Sequence, residues 1–192
     1  MFILASQSPR RQELLSRLGL DFEIITAHID ETMDPALSVR EAVAQVCEKK
    51  AAAVGRDHPG RLILAADTIV VVDGRILGKP HSEAQAGEML RSLSGRAHHV
   101  MTACCLWRDG QAETWVEETK IRFKPLSDRE IEAYIATGSP MDKAGAYGIQ
   151  DHAAVFAESL EGDYYNVMGL PVCSVVKALR RHGVPVLGTT EP

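Results

Sequence analysis

The chain has 192 residues, of which 45% are hydrophobic and 24% charged. A chain this long hides roughly 70% of its extended surface on folding, and its composition excludes collagen-like, disordered and disulfide-scaffold classes. With 21 Lys and Arg against 26 Asp and Glu, the formal net charge of −5 argues against wrapping by a nucleic-acid polymer, yet leaves room for a compact basic pocket that holds a small anion.

Phe2 to Ala5 reads as a short strand that runs through Ser6-Gln7-Ser8 into a helix with Ser8 as N-cap and Pro9 in its first turn. Leu14, Leu15 and Leu18 form that helix's apolar face, and Gly19 ends it. Phe22 to Ile25 is a second strand. Ser38 caps a longer helix to about Val54, with Val39, Val43, Val46 and Lys50 at helical spacing. Leu62 to Val72 is the strongest strand, an apolar run interrupted only by Asp67-Thr68. Asp73-Gly74 turns it towards Ile76-Leu77. Ser82 caps a helix carrying Met89, Leu90 and Leu93. His99 to Trp107 and Thr114 to Phe123 are two long strands joined across Asp109-Gly110. Ser127 and Glu130 have capping-box spacing and open a helix to about Thr137. A Gly-rich stretch, Gly138 to Gln150, leads to a strand at Ala154 to Ser159. The last helix covers Leu170 to His182, and Leu187 to Pro192 is a loose tail. This intermixed order predicts an α/β (mixed α+β) fold: a twisted mixed sheet flanked by helices, one domain over residues 1–192 with two lobes around a central cleft.

Cys47, Cys104, Cys105 and Cys173 form no C-x-x-C pair, so a zinc knuckle or thioredoxin-like site has no support. Cys104 and Cys105 sit in an apolar run and read as buried thiols. The opening MFILASQSPRR lacks the basic region and long apolar stretch of a signal peptide. No apolar run approaches the ~20 residues of a membrane helix. A soluble cytoplasmic protein is the expectation.

Four constellations carry chemistry. Ser6, Ser8, Arg10 and Arg11 gather where a strand enters a helix N-terminus, a place that favours anions. A capped surface helix with solvated arginines explains the pattern equally well. Asp67-Thr68 lies inside an apolar strand, where a carboxylate is expensive unless paired, hydrogen-bonded or metal-bound. A structural Asp at a bulge is the plain alternative. Lys79, in Gly78-Lys79-Pro80, is a cation that the hairpin after Asp67 can return towards that carboxylate. Lys50 and the Asp30-Glu31 pair are individually weak signals, explained as well by a helix lysine and a polar loop. Lys143 to Gln150 is small and glycine-rich, allowing close backbone approach to a ligand.

In order, LASQSPRRQELL, ETMDP, EKKA, AADTIVVVDGRILGKP, LSGRAHHVMT and KAGAYGIQ resemble the Maf family of nucleoside triphosphate pyrophosphatases over nearly the whole chain. The KAGAYGIQ form is similar to the branch that acts on dTTP and UTP. The resemblance implies an ITPase-like fold and hydrolysis between the α- and β-phosphates, releasing the monophosphate and pyrophosphate, a house-cleaning activity that extends to modified pyrimidine nucleotides. It implies Asp67 as the acidic catalytic residue, acting as general base, metal ligand or both. Arg11, Thr68 and Gln150 match the positions that set base specificity. Ser6, Arg11, Glu31, Lys50 and Lys79 match the pocket for phosphates and metal, with Glu31 and Asp67 holding a divalent cation, Mg²⁺ or Mn²⁺. The partners implied are a small-molecule nucleotide and a second copy of the chain in a homodimer, with no nucleic-acid polymer and no membrane. Gln7 and Asp151 depart from the family pattern, each standing where a glycine is common. A non-catalytic nucleotide-binding regulator of cell division and a phosphatase releasing orthophosphate are the competing readings.

Overall fold

A computed structural model describes residues 1–191; Pro192, the end of the expected tail, lies outside the described residues. The chain alternates irregularly between strands and helices. In order these are β1 (Phe2–Leu4), α1 (Pro9–Arg17), β2 (Phe22–Ile24), α2 (Val39–Gly55), β3 (Ile63–Val72), β4 (Arg75–Leu77) and α3 (Glu83–Leu93). They continue with β5 (Ala97–Arg108), β6 (Gln111–Phe123), α4 (Asp128–Ile135), β7 (Ala157–Glu161), α5 (Tyr164–Met168) and α6 (Val172–Arg181). The strands form one seven-stranded sheet in the order β2-β1-β3-β5-β6-β7, with β4 paired to β3. It is mixed: β1 runs parallel to β2 and β3, while β3–β4 and β6–β7 are antiparallel. The expected α/β class, a mixed sheet flanked by helices, is what the chain adopts.

Local chemistry explains most boundaries. Both Asp-Gly pairs make two-residue hairpin loops with positive φ at each position, 49° and 72° at Asp73-Gly74 and 50° and 86° at Asp109-Gly110. That is the type I′ geometry whose twist matches the flanking strands. Full capping boxes open α2 at Ser38/Glu41 and α4 at Ser127/Glu130. Ser8 occupies the N-cap of α1, but its hydroxyl makes no capping bond.

Two sequence expectations shift. Ala154 to Phe156 are not strand: a 3-10 turn spans His152–Phe156, and β7 begins at Ala157. Asp151 accepts from the Ala153 N–H and starts that turn, which buries Ala153 and Phe156 three residues apart while Ala154 and Val155 face water. The last helix starts at Val172 rather than Leu170. Gly169, at φ 106°, and Pro171 separate it from the short helix α5, which the sequence reading did not anticipate.

The chain divides into two compact units. The first holds Met1–Asp67, Thr102–Glu117 and the segment from Gly169 onward; the second holds Thr68–Met101 and Glu118–Met168. The first buries Phe2, Ile3, Leu4, Leu15, Val43, Cys47, Ile63, Leu64, Leu106 and Leu179. Here Gly55, at the end of α2, lies against the Trp107 ring, and a Cβ on it would fall 2.0 Å from the ring. Cys104 and Cys105 are buried as expected, and Cys47 is a third buried thiol. Burial raises all three, Cys105 to about 11, which leaves them protonated and unreactive.

The second unit's core is built on Val70, Leu90, Leu93, Ile121, Phe123, Ile131 and Phe156. His98 is fully buried there, edge-on to Phe123 and Tyr147, with Nε2 2.7 Å from the Tyr147 hydroxyl. Its Nδ1 has no hydrogen-bond partner among the described residues. Burial, aided by the neighbouring His99, lowers its pKa to about 4.

Two outcomes follow for stability. Gly55→Ala forces the Trp107 ring to move and costs about 1–3 kcal/mol by urea unfolding. His98 is depressed when folded, so the unfolded chain binds the extra proton between pH 6.5 and about 4. Stability therefore falls as pH drops through that window, by about 3 kcal/mol from this group at its lower end; His98→Gln removes that component of the pH profile.

Candidate active site

β3 is buried along its whole length except at its middle pair, Asp67 and Thr68. Asp67 is tolerated there because α2 brings a cation to it. On that helix Val43, Val46, Cys47, Ala51 and Val54 are buried, and Lys50 falls on the same stripe by its spacing. Its stem is therefore held against apolar neighbours while its ammonium reaches beyond them. Lys50 Nζ donates to Asp67 Oδ1 at 2.6 Å and to Glu31 Oε2 at 2.8 Å. The Lys50 and Asp67 side chains are only 17% and 15% exposed, whereas Glu31 is 61% exposed. Burial alone would lower the Lys50 pKa; the Asp67 charge and hydrogen bonds to both carboxylates outweigh it and raise the value above 10.5.

Arg11, in the first turn of α1, forms a second node in the same unit. Its Nη1 donates to Ser6 Oγ at 2.8 Å, and its Nε donates to the Gly169 carbonyl at 2.7 Å. Ser6 Oγ also accepts the Ser8 N–H at 3.3 Å, so the serine turns the chain while holding the guanidinium. Burial lowers the Arg11 pKa and the Asp67 charge opposes it; the guanidinium stays charged regardless. The Gly169 acceptor, 158 residues away in sequence, carried no signal that sequence reasoning could have used.

Thus Ser6 and Arg11 meet, and Lys50, Glu31 and Asp67 meet, all within the first unit. Asp30 instead turns its own loop, accepting the Thr32 N–H at 2.9 Å. Ser8 and Arg10 also belong to the first unit, whereas Thr68, Lys79 and Gln150 belong to the second. There Thr68 is half-buried, and Lys79 and Gln150 are exposed. Gly145 N–H donates to the Gly78 carbonyl at 3.0 Å, which joins the Gly-rich loop to the Lys79 loop. Gly145, at φ 68°, also sits where a Cβ would fall 2.8 Å from Val70, two residues beyond Thr68.

The same loop contains a polar network that the sequence reading did not assemble. Asp151 accepts from the Tyr134 hydroxyl at 3.1 Å, from Ser139 Oγ at 2.5 Å and from the Ala153 N–H at 3.0 Å. Lys143 Nζ is 3.6 Å from it and donates to the Ser139 carbonyl at 2.6 Å. The available signal was Asp151 itself, a carboxylate directly after the Gly-rich run.

Chemically, a carboxylate aligned by an ammonium, with a second carboxylate on that same cation, is a set that orients water and hard cations. No cluster of three or more His, Cys, Asp or Glu groups suited to a metal occurs among the described residues. Two carboxylates nevertheless fit Mg²⁺ or Mn²⁺, which commonly take one or two carboxylates and fill the remaining positions with phosphate oxygens and water.

The chain thus gathers cations and carboxylates on a mixed sheet, and comparison with known proteins gives its family. Residues 1–182 match the Maf-like protein model, and the chain belongs to the Maf family. It is 52% identical to the "dTTP/UTP pyrophosphatase" of Halalkalibacterium halodurans over 94% of this chain and 95% of that one. It is 50% identical to the protein of the same name from Symbiobacterium thermophilum, over 96% and 95% of the two chains. Among solved structures, that of the Staphylococcus aureus Ham1 protein aligns with a TM-score of 0.44 and 14% identity, over 64% of this chain and 71% of that one.

Replacing Lys50 with Met strands Asp67 within β3. The variant loses about 2–4 kcal/mol in urea unfolding at neutral pH. Because the folded lysine is raised, the pair's contribution is complete below about pH 10.5 and disappears as pH rises through the folded value. The stability gap between wild type and Lys50→Met therefore narrows in alkali.

Proposed function

We propose that the protein hydrolyses dTTP and UTP to the nucleoside monophosphate and pyrophosphate. The observation that carries this reading is the identity, about half of all positions over nearly the full chain, with proteins named dTTP/UTP pyrophosphatase. The site's chemistry supports it. A triphosphate needs several cations at one place, and Arg11 and Lys50 are already oriented by hydrogen bonds before any substrate arrives. Lys79, the remaining cation that the resemblance implies for the phosphates, is exposed and belongs to the second unit.

In this mechanism Asp67 orients the attacking water and accepts its proton as the oxygen closes on the α-phosphorus. Lys50 keeps the carboxylate charged and fixed, and Arg11 binds phosphate oxygens. Glu31 and Asp67 would hold Mg²⁺ or Mn²⁺, whose chemistry when bound is neutralisation of the charge that develops on the phosphates. Thr68 and Gln150 read the pyrimidine through hydrogen bonds that they both donate and accept. The reading extends to a cytoplasmic homodimer that takes a free nucleotide and no polymer. No helix among the described residues is long and apolar enough to cross a membrane.

The test identifies the product. Incubated with Mg²⁺ and a panel of triphosphates, the wild type releases pyrophosphate, with dTTP and UTP preferred over purine nucleotides. Asp67→Asn retains the fold and loses about 100-fold or more in turnover. Release of orthophosphate, a purine preference, or full activity in Asp67→Asn would each overturn the corresponding part of the assignment.

A further inference from the structure

Gly169 stands between α5 and α6 with a φ of 106°, a backbone conformation that glycine alone holds without strain. Its carbonyl accepts from Arg11 Nε at 2.7 Å. The segment that carries this carbonyl is firmly built. Leu170 is fully buried, and Pro171 stands at the N-cap of α6. The Pro171 carbonyl accepts the Val175 N–H at 3.0 Å and the Ser174 hydroxyl at 3.2 Å. Ser174 Oγ in turn accepts the Trp115 indole N–H at 3.0 Å, which ties the segment to β6.

The other arm of Arg11 is equally fixed. Its Nη1 donates to Ser6 Oγ at 2.8 Å, and the residue before Ser6 is pinned to β3, where the Ala5 N–H donates to the Leu64 carbonyl at 2.8 Å. Asp67 lies three residues further along that strand. Bonds on two different nitrogens of a planar guanidinium fix its plane as well as its place, whereas a single bond leaves it free to turn. Both bonds fall on the charged head itself and not only on the backbone that carries it. The start of α1 favours an anion beside this head. Its first turn contains no acidic residue, the Ser8 hydroxyl makes no capping bond, and a cation in a first turn opposes the helix dipole. We propose that Gly169 is a positioning residue whose carbonyl sets the orientation of the Arg11 guanidinium towards the phosphates of the substrate. This rests on the reading of the protein as a nucleoside triphosphate hydrolase with Arg11 on the phosphates.

The experiment measures pyrophosphate release from UTP by wild type, Gly169→Ala, Arg11→Ala and the double variant. In Gly169→Ala the backbone relaxes away from its positive φ and the carbonyl leaves its place. As a result kcat/KM falls about tenfold, chiefly through KM. In the Arg11→Ala background the same substitution changes kcat/KM by less than about twofold, because no guanidinium remains to be oriented. A merely structural role gives equal losses in both backgrounds. Gly183→Ala, at φ 79° with open space around it beyond the other end of α6, strains the backbone alike and leaves KM within about twofold of wild type. Should Gly169→Ala not fold, Ser174→Ala removes one bond to the Pro171 carbonyl and raises KM by a smaller factor, again only while Arg11 is present. Unchanged KM in whichever variant folds, or a loss of the same size in both backgrounds, overturns the role of Gly169. Unchanged KM in Arg11→Ala overturns the phosphate role of Arg11 and the proposal with it. A wild type that releases no pyrophosphate overturns the hydrolase reading instead.

Discussion

A carboxylate in the middle of a buried ten-residue strand is the constraint around which the first unit is arranged. Asp67 would be costly there without a partner, and its partner must come from an element that is itself rigid. Helix α2 meets that demand. Its capping box fixes where the helix begins, its valines fix which face is buried, and the same face then delivers Lys50. The strand is held just as firmly from the other side, where β1 pairs in register with Ile63 and Leu64. Glu31, on an exposed loop, reaches the same ammonium and so ties an irregular segment to two regular ones.

Net charge is a poor guide to such a place. The chain is acidic overall, yet Arg11 and Lys50 are withdrawn from solvent and held by oxygens chosen one by one: a serine hydroxyl, a backbone carbonyl and two carboxylates. Holding the cations in advance means that a phosphate ligand meets donors already aimed, and little reorganisation is left for the reaction itself. Arg11 also shows why a helix N-terminus accepts a cation despite an unfavourable dipole: its head is turned to Ser6 and Gly169 rather than left beside its own helix.

Much of the architecture was legible because it is set locally. The two Asp-Gly hairpins, the capping boxes at Ser38 and Ser127, and the apolar run broken at Asp67-Thr68 each state their geometry within a few residues. Reading failed where a single cap or a distant partner decides against the apolar pattern. The 3-10 turn at His152 looked like the start of a strand because its apolar residues are adjacent to one, and only the Asp151 cap selects the turn. The split between α5 and α6 depends on the backbone at Gly169, whose carbonyl is claimed by Arg11 from the other end of the chain. The network around Asp151 joins residues 134, 139, 143, 151 and 153, and no spacing rule links them. Similarly, the resemblance marked Ser6, Arg11, Glu31, Lys50 and Asp67 without saying which touches which. The pairing of Lys50 with both carboxylates came from the fold.

The hydrogen-bonded register of β3 has a consequence for what evolution can alter. Neighbouring residues on a strand face opposite sides of the sheet, so Asp67 and Thr68 address different surroundings although one peptide bond separates them. Moving the strand by a single position would exchange the two and would carry every side chain of β3 to the opposite face of the sheet. The pairings Ile3↔Ile63 and Leu4↔Leu64 hold that position on one side of the pair, and Val70↔Leu77 to Val72↔Arg75 hold it on the other. An insertion or deletion within β3 would break this register, whereas the loops that flank the strand can absorb one. The spacing between its acid and its two anchoring ladders is in this sense a mechanical dimension, left intact by a substitution and changed by any insertion.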